Sequence, residues 1–190
     1  CLAEIQQAFE GPEYSLTVLS GKFSSFLKSG MPRQEALGAL VKAAVELTTQ
    51  QAPKWEFIAA RLLNYKFELE LQAELEKRGI HTFYEKLRYL TDEGLYGAYI
   101  LERYSREELE QAASFLRPER NALFTYAGLD LQLKRYVIHT HQRVPLETPQ
   151  EMYLGIALHL AMEEKQDRLG WVQRFYDMLS KMEVTMATPT

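Results

Sequence analysis

Apolar residues recur in this chain at every third or fourth position almost throughout, and glycine, proline and short polar breaks divide the pattern. That spacing lines one face of a helix, so the chain must fold as successive helices that each bury a stripe. Leu2, Ile5 and Phe9 open the series, and Gly11-Pro12 stops it. A second helix is predicted over 15–28, with Leu16, Leu19, Phe23, Phe26 and Leu27 on one face, ended by Ser29-Gly30-Met31-Pro32. Pro32 is expected in the first turn of a third helix, where its missing N–H has no partner to lose. Leu37, Leu40, Val41, Ala44, Val45 and Thr48 give that helix its stripe. Pro53 opens the longest segment, in which Trp55, Ile58, Leu62, Tyr65 and Leu69 repeat and the pattern runs to Leu75. Lys77 and Arg78 suit the negative end of that helix, and Gly79 suits its C-cap.

Shorter helices are predicted over 83–90 and 95–104. Ser105 and Glu108 form a capping-box pair, in which each side chain accepts an orphaned backbone N–H, and the helix they open runs to Phe115. Another is predicted over 121–135. The period then changes: Tyr136-Val137-Ile138-His139-Thr140 is β-branched and aromatic, and 144–148 follows a polar break, which together read as a small hairpin. Thr148 and Glu151 form a second capping box with Pro149 at the first helical position. That helix should run to about Lys165 with Met152, Ile156 and Leu160 facing the core. A last helix over 168–182 carries Leu169, Val172, Phe175, Tyr176 and Leu179, and 183–187 reads as an extended segment. The expected fold is mainly α, a multi-helix domain with one small β-hairpin and no internal repeat.

Composition narrows the function. With 46% apolar and 25% charged residues in 190, the chain is an ordinary globular one, large enough to bury a core without staples. A net charge of −4 gives no basic footprint for nucleic acid. No apolar run is long enough to span a membrane, and no secretory signal is visible. Cys1 is the single cysteine, which excludes an internal disulfide, a redox dithiol and a cysteine-built zinc site within this chain. It fits a reducing, cytoplasmic setting. The start at Cys1 and the bare end at 185–190 both read as cuts.

The chemistry-bearing side chains mostly favour structural readings. His139 and His141 share one side of the predicted hairpin, with Glu147 across it, but a metal site needs three or four ligands and a solvated polar face is favoured. His159 reads as a boundary histidine and His81 as a turn residue. Glu68, Glu70, Glu74 and Glu76 fall on one helix. A di-iron bundle requires Glu-x-x-His pairs, and Arg78 and Ile156 stand where those glutamates would be. The run therefore reads as a solvated face. Gly94-Leu95-Tyr96-Gly97 lacks the third glycine and preceding strand of a phosphate loop and reads as a turn. No serine stands in a nucleophile-elbow context. The aromatic residues fall at helical spacing, as in a core rather than a base-stacking platform.

Several stretches together resemble the large (alpha) subunit of class I ribonucleotide reductases, over residues 33–190. They are Ala52-Pro53-Lys54-Trp55-Glu56-Phe57-Ile58-Ala59-Ala60-Arg61-Leu62-Leu63, Leu101-Glu102-Arg103-Tyr104-Ser105-Arg106-Glu107-Glu108-Leu109, and Phe124-Thr125-Tyr126-Ala127-Gly128-Leu129. Arg135-Tyr136-Val137-Ile138, Glu147-Thr148-Pro149-Gln150-Glu151-Met152, Arg174-Phe175-Tyr176-Asp177-Met178-Leu179-Ser180 and Ala187-Thr188-Pro189-Thr190 follow in order. The resemblance implies reduction of ribonucleoside diphosphates to deoxyribonucleotides by radical chemistry. The chemistry belongs to cysteines of a ten-stranded α/β barrel that would follow this chain, so no catalytic residue is expected here and the isolated chain should be inactive. It also implies a radical-generating small subunit with a dimetal centre, ATP and deoxynucleotide effectors, and a homo-oligomer in the full enzyme. Neither cofactor nor metal is expected to bind this chain.

By the same resemblance Thr188 is the substrate-binding residue, at the mouth of the barrel beside the substrate diphosphate. A hydroxyl and nearby N–H groups can donate to phosphate oxygens without adding charge. The alternative is that Thr188-Pro189 is only a rigid turn. Residues 1–50 resemble the later helices of the family's regulatory ATP cone. The cone's nucleotide grip is unmatched, with Arg33 at its later threonine position and Leu69 at its later basic position. The implied organisation is a cone remnant at 1–50, a helical domain at 51–186 and the start of the barrel-entering segment at 187–190. Two rivals stand beside this reading: a non-enzymatic helical interaction module, and a reductase split into separate polypeptides.

Overall fold

The computed structural model describes residues 2–185, with the backbone alone for residues 3, 4 and 6. Ten α-helices form among the described residues: α1 (Leu2–Ala8), α2 (Leu16–Ser24), α3 (Arg33–Glu46), α4 (Trp55–Lys77), α5 (Phe83–Asp92), α6 (Tyr99–Arg103), α7 (Arg106–Ala113), α8 (Tyr126–Leu131), α9 (Pro149–Ala161) and α10 (Arg168–Ser180). No helix among them is long and apolar enough to cross a membrane.

Local chemistry sets most of the boundaries. The predicted boxes at Ser105/Glu108 and Thr148/Glu151 form in full, and Thr82/Glu85 adds a third. Gly79 turns the chain after α4 at φ +69°, a region costly for any side chain. Pro32 sits one position earlier than expected, as the extended N-cap of α3 rather than within its first turn. α2 stops at Ser24, short of Lys28. There the hydroxyls of Ser24 and Ser25 donate to the carbonyls of Gly21 and Lys22, both at 2.7 Å, and close the helix early.

Three predicted elements come out differently. The helix expected over 95–104 begins only at Tyr99, because Gly94 adopts φ +70° and the N–H groups of Leu95 and Tyr96 both return to the Leu90 carbonyl. The span 121–135 breaks into a 3-10 turn (Pro118–Leu123), α8 and a π turn (Gln132–Tyr136). Thr125 restarts the helix by accepting the Gly128 N–H at 3.2 Å. The hairpin shrinks to one antiparallel bridge, His139 with Pro145, flanked by Thr140 N–H to the Val144 carbonyl and Leu146 N–H to the Ile138 carbonyl, both 2.8 Å. Pro145 has no N–H with which to extend a ladder. Arg143 takes the tip of the turn at φ +65°. α9 and α10 end at Ala161 and Ser180, a few residues earlier than expected. Of the extended segment expected over 183–187, residues 183–185 are non-helical and 186–187 lie outside the described residues.

The chain forms two compact units, and α4 contributes to both. The first is Cys1–Glu70 with Asn121–Lys134. Its core gathers Leu19, Val41, Ala44, Trp55, Ile58 and Leu62, and the Trp55 indole N–H donates to the Glu13 carbonyl at 3.1 Å. The second is Leu71–Arg120 with Arg135–Thr190. Here α9 lies along α10, with Leu154, Ala157, Leu158 and Ala161 buried against Val172 and Tyr176. The face of α9 expected to be central is the other one: Met152 and Ile156 are half-buried and Leu160 is 43% exposed. α9 is apolar nearly all round, so its period does not single out a face. The small side chains Ala157 and Ala161 lie among the residues it buries.

Candidate functional site

The second unit concentrates its buried polar chemistry where the bridge segment meets the start of α9. Lys86, on α5, is 5% exposed and donates to Glu151 at 2.6 Å. Glu151 is also the N3 residue of the α9 capping box, with Oε2 accepting the Thr148 N–H at 2.8 Å. One carboxylate thus pairs with a buried lysine and closes a helix end, which offsets the cost of holding Lys86 away from water. Glu147 is also buried, and its Oε1 accepts the Ile138 N–H at 2.8 Å. Burial pushes its carboxyl up to about 8, and the Glu151 charge adds to this, against the Ile138 hydrogen bond and Lys86. Tyr96 packs over Gly155 of α9, and its phenol is raised by burial and then by Glu147.

A second polar chain pins α10. The Tyr176 hydroxyl donates to Gln150 Oε1 and accepts the Arg117 N–H, both at 2.8 Å. Arg120 reaches Asp177 at 2.6 Å and the fully buried Ser180 hydroxyl at 2.5 Å. Tyr104 donates to the Leu158 carbonyl at 2.8 Å beneath the Arg168 guanidinium, and burial pushes its phenol up to about 12.

The residues singled out in the sequence scatter. Thr188, the expected substrate contact, and Cys1 lie outside the described residues. His139, His141 and Glu147 do not share one solvated face. His141 is exposed, His139 is half-buried in the bridge, and Glu147 is buried against Ile138. A one-pair bridge leaves no strand alternation to carry Glu147 outward. Among the described residues no cluster of three or more His, Cys, Asp or Glu is arranged to hold a metal ion.

The acidic run of α4 is tied up along the helix. Asn64 donates to Glu68 at 2.8 Å, Lys66 pairs with Glu70 at 2.7 Å, Gln72 donates to Glu76 at 3.0 Å, and Arg78 pairs with Glu74. Arg33 is exposed at the first position of α3, and Leu69 is half-buried on α4. His81 is exposed in a turn, where Glu85 accepts its backbone N–H at 2.9 Å. His159 is exposed and meets Tyr99 edge to face at 5.1 Å. Sequence reasoning missed the Lys86–Glu151 pair and the buried Glu147. The capping box named Glu151, but its partner lies 65 residues away.

These features define a helical domain with polar nodes built to hold helix ends in place. Residues 122–190 match the family described as ribonucleotide reductase, all-alpha domain. The whole chain is 59% identical over 189 residues to the alpha subunit of ribonucleoside-diphosphate reductase of Treponema pallidum (strain Nichols), covering 100% of this chain and 22% of that one. It is 30% identical over 184 residues to the alpha subunit of Enterobacteria phage T4, covering 96% and 24%. It is 26% identical over 162 residues to the reductase 1 alpha subunit of Escherichia coli (strain K12), covering 84% and 21%. Residues 122–190 thus match the all-alpha domain of ribonucleotide reductases, and the chain as a whole is similar to part of their large subunits. It spans about a fifth of the length of these relatives.

Proposed function

We propose that this chain is the helical region of the large subunit of a ribonucleoside-diphosphate reductase, an oxidoreductase that makes deoxyribonucleotides by radical chemistry. Its part is structural: it covers one side of the catalytic barrel and brings Thr188 to the substrate diphosphate. The observation that carries this reading is the 59% identity to a reductase alpha subunit over the whole chain. The half-uncovered apolar face of α9, with Leu160 exposed, supports it, because a helix that is apolar all round belongs in a protein interior. Residues 1–50 are then the remnant of an ATP cone, 51–186 the helical domain and 187–190 the lead into the barrel. The partners are the rest of the large subunit, a second copy of it, and a small subunit whose dimetal centre generates the radical. ATP and deoxynucleotides act as effectors elsewhere in the large subunit, and the setting is cytoplasmic.

The test is Thr188→Ala in the full-length polypeptide, assayed with cytidine diphosphate and the small subunit. Loss of one hydrogen bond to a charged phosphate oxygen costs about 1.5–3 kcal/mol. KM should therefore rise about tenfold or more while kcat holds. An unchanged KM refutes the role of Thr188, and an inactive wild-type polypeptide refutes the enzyme reading.

A further inference from the structure

Glu147 takes no part in the function proposed above, and among the described residues of the second unit it is the buried carboxyl placed between two elements. Its backbone leads directly into the Thr148 cap of α9, while its side chain reaches across to the Ile138 N–H on the opposite limb of the bridge segment. The bridge itself is short: the Thr140 N–H to the Val144 carbonyl, the Arg143 N–H to the Thr140 carbonyl, the Leu146 N–H to the Ile138 carbonyl and the His139–Pro145 pair join its limbs, and the Val144 N–H also donates to the Thr140 hydroxyl. The Glu147–Ile138 bond adds a side-chain link at the end of the segment that meets α9. Beyond the clasp lies a polar turn with His141, Gln142 and Arg143 exposed.

The surroundings leave an ionised Glu147 poorly compensated. Lys86, on α5, gives its ammonium to Glu151 at 2.6 Å. Glu151, on α9, adds a second negative charge nearby, and Tyr96, in the turn after α5, faces Glu147 with a phenol. The Ile138 N–H is the hydrogen-bond donor that Glu147 receives from the bridge segment.

We propose that Glu147 is a protonation-operated latch that closes residues 138–147 onto the start of α9 when its carboxyl is neutral and releases that segment when it ionises. In the closed state the neutral carboxyl accepts the Ile138 N–H without placing a second anion beside Glu151. Loss of the proton to water creates a buried carboxylate that competes with Glu151 for Lys86 and draws water into the site. The upward shift of the carboxyl, caused first by burial, sets the opening in the mildly alkaline range. The device acts on the bridge segment, through the hydrogen bond from the Ile138 N–H to Glu147.

Hydrogen exchange followed by mass spectrometry on the full-length polypeptide tests this, with peptides covering Ile138 read from about pH 6 to about pH 10 and corrected for intrinsic exchange. Protection at Ile138 should fall about tenfold or more as pH passes about 8, with peptides from α10 unchanged. In Glu147→Gln, which keeps an acceptor but cannot ionise, protection should stay flat. The same fall in Glu147→Gln overturns the latch, as does a flat wild-type profile or a parallel loss in α10. Should Glu147→Gln not fold, the wild-type profile decides: a step confined to the bridge segment supports the latch, and either a flat or a global profile overturns it.

Discussion

Gly155 of α9 lies directly against Tyr96, so a single added carbon tests how that face is packed. An alanine Cβ at this position would fall inside van der Waals distance of the Tyr96 hydroxyl and 3.3 Å from its ring carbon Cζ. Two effects oppose each other. In a helix interior alanine is better than glycine by about 1 kcal/mol, because glycine loses more backbone freedom on folding. Forcing extra volume into a packed site costs about 1–3 kcal/mol. Tyr96 cannot swing away freely, since it also packs on the core of the second unit. The balance is a loss of about 1 kcal/mol, which for a chain of this size lowers Tm by about 2–4 °C. Tyr96→Phe removes the atom that collides first, so the double variant should regain most of the loss. Denaturant melts of the wild type, both single variants and the double variant close the cycle. If Gly155→Ala is as stable as the wild type, or if Tyr96→Phe restores nothing, the packing argument fails.

Two further predictions concern the same polar node. Glu147 has a folded value of about 8, above its ordinary one, so its contribution is fully present below about pH 4.5 and is lost as pH rises toward 8. The loss is on the order of 3 kcal/mol by pH 7, and Glu147→Gln should abolish that slope in urea titrations run across pH; an unchanged slope would rule Glu147 out as its source. Glu151→Ala removes the partner of a buried ammonium and half of a capping box at once. It should cost about 3–5 kcal/mol, more than an ordinary cap deletion of about 1 kcal/mol, and a cost at the lower figure would mean that Lys86 finds water.

What was legible in the sequence follows from how far each interaction reaches. Ser105 with Glu108 and Thr148 with Glu151 are three residues apart, so the pairs that start α7 and α9 could be read from spacing alone, and they form as read. Gly79 was legible for the same reason, as a single residue with a left-handed backbone at the end of a helix, whereas Gly94 was read only as part of a turn and the helix expected from 95 begins at Tyr99. The inner face of α9 was not. Met152, Ile156 and Leu160 obey the helical period as well as Leu154 and Leu158 do, and only the position of α10 separates the two sets. The bridge segment was legible as a change of period but not in its length, which depends on how soon Pro145 ends the ladder.

Glu147 lay furthest from reach, although its own neighbours carried a weak signal. It stands between Leu146 and a capping threonine, where the chain must turn inward to begin a buried helix. A charged residue at such a joint has either to escape to the surface or to give up its charge, and which happens depends on where the nearest cation has gone. Lys86 is committed to Glu151, a choice made 65 residues away in the sequence. The state of Glu147 is thus set first by its burial and then by where Glu151 and Lys86 stand, and no reading of a local pattern reports either.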